Sequence, residues 1–118
     1  VAVTEPRLST TPEKAITELE SRLSIKDSDI ALALGISTRS LDRWSTGESH
    51  PQRESRTNLA RLLALSEHLE EAFGESADEW LGADSRYLGG LKPIEALRAG
   101  RMDRVEDALE ALDSGIVL

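Results

Sequence analysis

The chain has 118 residues, 39% of them hydrophobic and 31% charged, with a formal net charge of −8 and no cysteine. That length suits one compact unit or two small subdomains sharing a core, and the composition excludes a disordered polyelectrolyte, a disulfide framework and a thiolate metal site. With no apolar run of about 18 residues and no signal-peptide core, no membrane segment is expected, and a cytoplasmic protein is the default reading.

Residues 1–10 are polar, carry Pro6 and predict a flexible N-terminal arm. Thr11-Pro12-Glu13 predicts a helix start: a hydroxyl cap, a proline in the first turn and an acid at the positive end of the dipole. Ile16, Leu19 and Leu23 follow at helical spacing. Asp27 is the expected cap of a second helix with Ile30, Ala31, Ala33 and Leu34 on its apolar face. Gly35 ends that helix, because a left-handed backbone costs glycine little. Ser37 caps a third helix running to about Trp44, with Leu41 and Trp44 facing inward. The loop 45–51 leads into a long helix from about Arg53 to Phe73. Its apolar positions are Leu59, Leu62, Leu63, Leu65, Leu69 and Ala72, and Gly74 stops it. Ser76-Ala77-Asp78-Glu79 reads as a capping box for a short helix ending near Gly82. Residues 83–91 form a loop in which Gly89-Gly90 permits a sharp turn. Pro93 starts a short helix to Ala99, Gly100 breaks it, and Met102 to Leu112 form the last helix. No alternating strand pattern of useful length occurs, so the expected fold class is all-α.

Charge is unevenly spread. Residues 1–36 carry a net of −2, residues 37–61 a net of +2 with five arginines, and residues 62–118 a net of −8. The positive segment is the one that a helix-turn-helix would lay on DNA. Ala31 lets the second and third helices approach closely, Gly35 makes the turn between them, and Leu41 fills the space behind it. On this geometry the start of the third helix faces the major groove and exposes Ser37, Thr38, Arg39 and Arg43. Arg39 suits a bidentate contact to guanine, and Thr38 a thymine methyl or a phosphate. Ser49, Gln52, Arg53 and Arg56 follow, where phosphate contacts are expected. A plain αα-hairpin with a solvated arginine face is the competing reading. The stretch from Asp29 to Leu65 resembles the Xre, phage-repressor-like group, whose third helix is followed by a loop and a further helix.

The last third holds an ordered pattern: Trp80-Leu81, Leu88-Gly89-Gly90, Pro93-Ile94-Glu95-Ala96-Leu97, Gly100, Val105, Leu109 and Gly115. It resembles the toxin-binding domain of the Xre/MbcA/ParS family of bacterial antitoxins. The resemblance runs from about Lys26 to Leu118 and is most specific from Trp80 to Gly115. It implies an all-α fold in three parts: the arm 1–10, an Xre-like helix-turn-helix domain over 11–73 and a toxin-binding module over 74–118. It also implies a RES-domain, NAD-consuming toxin as partner, operator DNA as a second partner, and Trp80, Leu88, Gly89, Gly90, Pro93, Glu95 and Arg98 as toxin-binding residues. In MbcA-like members the helix-turn-helix can be scaffold alone.

The tail Gly115-Ile116-Val117-Leu118 belongs to the same expected surface, since three apolar residues follow the glycine that ends the last helix. An apolar tip with a free carboxylate suits a concave site, and the competing reading is that Ile116 and Val117 fold back onto the chain's own helices. The acidic C-terminal half fits an electropositive partner, although acidity also aids solubility by itself.

An enzyme is not expected. His50 and His68 lie in different segments with no recurring ligand spacing, and Gly89-Gly90 lacks the spacing and preceding strand of a phosphate-binding loop. No cofactor is implied. A dimer is expected on DNA, because one recognition helix reads few base pairs and the long helix carries more leucine than one small core needs. The alternatives are a stand-alone helix-turn-helix transcriptional regulator and an inert helical adaptor.

Overall fold

The structure is a computed structural model and describes residues 8–115. Thr11 opens the first helix, α1 (Pro12–Leu23), by accepting the Lys14 N–H on its hydroxyl at 3.3 Å. Ala15, Ile16, Leu19 and Leu23 line its buried side. The second helix, α2 (Asp27–Leu34), begins differently from the expectation. Its cap position is Lys26, and Asp29 rather than Asp27 serves it, accepting the Lys26 N–H at 3.1 Å. A carboxylate in the third helical position reaches back to the cap N–H, so Asp27 is left exposed on the first turn.

Gly35 closes α2 as read from the sequence. Its φ is +68°, and the Ile36 N–H returns to the Ala31 carbonyl at 3.0 Å, which satisfies carbonyls that the helix end would leave open. Ser37 then accepts the Ser40 N–H at 3.0 Å and starts α3 (Thr38–Thr46). Leu41 and Trp44 are its buried residues. The long helix α4 spans Arg53–Phe73 and packs along α1, with Leu59, Leu62, Leu63, Leu65 and Leu69 buried in the core. Ala72 is exposed instead of buried, because Phe73 takes the inward place at the helix end and stacks on Trp80 with ring centroids 5.5 Å apart.

The expected capping box at Ser76 is absent. Gly74–Ser76 form a 3₁₀ turn that runs directly into α5 (Ala77–Leu81), and Ser76 makes no side-chain cap bond. Its ψ of 12° lacks the extended backbone that aims a cap hydroxyl at the helix. Two further helices complete the described chain, α6 (Pro93–Arg98) and α7 (Met102–Asp113). Among the described residues there is no strand, and no helix is long and apolar enough to cross a membrane. One apolar cluster runs through both halves, from Ile16, Leu19 and Ile30 to Leu81, Leu97, Val105 and Leu109. The all-α fold read from the sequence is therefore the fold found, with residues 11–73 and 74–115 sharing this core.

Candidate functional site

Two surfaces follow from this frame. The first lies on α3 and the start of α4. Thr38, Arg39 and Arg43 are exposed, with Arg39 and Arg43 one helical turn apart. Ser37 is exposed too, but its hydroxyl is committed to the helix start, accepting from Ser40 N–H and donating to the Ser40 hydroxyl. The Ser49 N–H donates to the Arg43 carbonyl at 3.2 Å, which folds the loop back over the end of α3. Half-buried Ser49 and buried Pro51 then deliver exposed Gln52, Arg53 and Arg56 beside it.

Pairing separates these arginines from most others in the chain, although Arg104 on α7 is likewise in no ion pair among the described residues. Arg22 meets Glu18, Glu67 and Glu70, Arg61 meets Glu106, Arg98 meets Asp29, and Arg101 meets Asp103. Arg39, Arg43, Arg53 and Arg56 are in no ion pair among the described residues. The five arginines of the positive segment thus reduce to four, because Arg61 turns inward to α7.

The second surface lies on the C-terminal module. Trp80 is half-buried against Phe73. The 85–91 loop is held by the Ser85 N–H donating to the Leu91 carbonyl at 2.9 Å and the Gly90 N–H to the Ser85 carbonyl at 2.7 Å. Gly89 and Gly90, at φ of +69° and +92°, supply the left-handed backbone that this closure needs. Leu88 and Pro93 are buried, so they anchor the loop and α6 instead of reaching solvent. Gly89, Gly90, Glu95 and Gly115 are exposed. Arg98 faces α2, where its Nε donates to Asp29 Oδ1 at 2.7 Å. Ile116, Val117 and Leu118, like most of the arm 1–10, lie outside the described residues.

Tyr87 and Leu112 stand outside the residues expected from the sequence to contact a partner. They are exposed large apolar side chains, 39% and 49% accessible, and they line one cleft with Trp80, Asp84, Ala108 and Ala111. The cleft measures about 210 Å³. A signal for it exists in α7. Val105 and Leu109 face the core, while Ala108, Ala111 and Leu112 form an adjacent stripe whose small residues leave the surface hollow. No group of three or more His, Cys, Asp or Glu side chains is placed to hold a metal among the described residues.

Known proteins share both sequence and shape with this chain. Residues 68–115 match the family described as the antitoxin Xre/MbcA/ParS C-terminal toxin-binding domain. A probable mycobacterial cidal antitoxin of Mycobacterium tuberculosis is 32% identical over 89 residues, covering 74% of this chain and 75% of the relative. The mycobacterial cidal antitoxin MbcA of Mycobacterium tuberculosis and Mycobacterium bovis is 28% identical over 96 residues, covering 80% of this chain and 85% of the relative. The crystal structure of the M. tuberculosis MbcT–MbcA toxin–antitoxin complex contains a chain with the same fold. The TM-score is 0.66 at 24% identity, covering 92% of this chain and 99% of that chain.

An all-α frame carrying these sequence matches defines an antitoxin, one half of a toxin–antitoxin system. The chain belongs to the Xre/MbcA/ParS family of antitoxins.

Proposed function

We propose that this chain binds and neutralises a RES-domain toxin that consumes NAD, and that it binds operator DNA to repress its own operon. Neutralisation is assigned to residues 74–118, with Trp80, Gly89, Gly90, Glu95 and the tail 115–118 at the contact and Leu88 and Pro93 holding its shape. The observation that carries this half is the match of residues 68–115 to a toxin-binding domain, on a segment whose charge is strongly negative. Such a segment favours an electropositive partner, as a site that receives the phosphates of NAD would be.

Operator binding is assigned to Thr38, Arg39, Arg43, Gln52, Arg53 and Arg56, with Ser37 and Ser49 shaping the backbone beside them. The unpaired arginines support it. Arg53 also stands at the first position of α4, where the helix dipole disfavours a cation. A bound phosphate would reverse that penalty, since the same helix start favours an anion. The stand-alone regulator is the other reading, and the same arginine face favours it.

Mixing the purified chain with the RES-domain toxin of its operon and separating the products by size-exclusion chromatography tests the proposal. A stable complex is expected. Separate elution of two folded proteins, with operator binding intact, leaves the regulator.

A further inference from the structure

We infer that the cleft between the 83–87 loop and α7 is the pocket that anchors an apolar side chain of the toxin. The inference rests on the proposed neutralising role and gives it a location. The walls are Trp80, Tyr87, Ala108, Ala111 and Leu112, with Asp84 and Arg86 among them. Tyr87 and Leu112 are 39% and 49% exposed, so both present apolar surface to an incoming group.

Size argues for a protein side chain. At about 210 Å³ the cleft is smaller than the roughly 300–1,000 Å³ of pockets that enclose a whole small molecule. One aromatic or branched aliphatic side chain is the occupant that this volume suits, and such an anchor seated in a pocket is the usual centre of a protein interface.

Position argues for the toxin in particular. Every wall residue falls within 68–115, the span matched to the toxin-binding domain. The surrounding segment 62–118 carries a net of −8. A partner whose anchor is ringed by basic groups therefore gains attraction here, whereas a second copy of this acidic segment meets like charge. The lining itself holds one acid, Asp84, and one cation, Arg86, so the negative field comes from the wider segment, to which Asp107, one turn before Ala111 on α7, contributes.

The walls are held from behind. Trp80 is stacked on Phe73, and α7 is fixed through Val105 and Leu109, both fully buried. A pocket of this kind keeps its shape before the partner arrives, which lowers the ordering cost of binding.

The test uses the full chain and the RES-domain toxin of its operon in a catalytically silent form, with affinity measured by calorimetry. Tyr87→Ala and Leu112→Ala remove apolar wall, and Leu112→Lys adds repulsion toward a basic partner. Each is expected to weaken binding by about tenfold or more. Leu32→Lys is the control, because Leu32 is 49% exposed on α2, outside the cleft, and should change binding less than about twofold. Circular dichroism and melting midpoints verify that each variant is folded. Wall variants that bind like the unaltered chain overturn the inference, as does an equal loss in Leu32→Lys. Wall variants that lose self-association while keeping the toxin would make the cleft an interface between copies, which also overturns it. Failure of the unaltered chain to bind the toxin instead overturns the functional proposal beneath it.

Discussion

Arg98 donates from Nε to Asp29 Oδ1 at 2.7 Å, while the other oxygen of that carboxylate accepts the Lys26 N–H at 3.1 Å. One acidic side chain thus closes the start of α2 and fastens α6, 69 residues further along, against it. The Asp29 side chain is 10% exposed and that of Arg98 is 49% exposed. A carboxylate so shielded costs stability when its cation is removed. Arg98→Ala and Asp29→Asn are each expected to lower stability by about 1–2 kcal/mol. Urea unfolding of the double variant should show clear coupling between the two sites, and coupling at Arg101–Asp103, which lies open to solvent, should be weaker.

The same pair sets an acid dependence. Burial alone would raise the Asp29 carboxyl, but the Arg98 hydrogen bond and charge together with the Lys26 N–H hold it below the ordinary value of 3.8. A carboxyl depressed in the folded state contributes stability that is fully present above its ordinary value and is lost as pH falls through the folded one. The unaltered chain should therefore lose more stability than Asp29→Asn between pH 5 and pH 2, roughly the range over which such a carboxylate is protonated. Thermal melts across that range measure it, and parallel curves for the two proteins would contradict it.

The helix starts and stops are legible in the sequence because their signals are local. Thr11 and Ser37 each bond an N–H three residues on, and Gly35 turns on its own backbone. What is not legible depends on distant partners. Asp29 outranks Asp27 as the helix closer in a setting that Arg98 completes from another helix. Arg61 belongs by position to the basic segment, yet Glu106, 45 residues away, takes it. The anchoring roles of Leu88 and Pro93 follow from burial, which a motif match alone does not distinguish from contact with a partner. The cleft beside Tyr87 and Leu112 exists only once the 83–87 loop and α7 are brought together.

On operator DNA the two arginine groups should behave differently. Arg39→Ala is expected to weaken the cognate operator by about 1–3 kcal/mol and relax preference at one base pair. Arg56→Ala should weaken all sequences alike and flatten the dependence of affinity on salt. Fluorescence anisotropy with the operator and a scrambled duplex, at several salt concentrations, reads both. If neither substitution changes affinity, the arginine face is scaffold.

Specific operator binding further requires two copies, because one recognition helix covers few base pairs. Light scattering should therefore find a dimer or larger assembly on operator DNA. A strict monomer, both free and on the operator, would contradict this.

Neutralisation of the RES-domain toxin can be read from cellular NAD during co-expression. NAD should collapse with the toxin alone, stay at its normal level with the full chain, and fall again when residues 115–118 are deleted from a chain that remains folded. A collapse of NAD in the presence of full, folded and abundant chain would show that the chain does not neutralise this toxin.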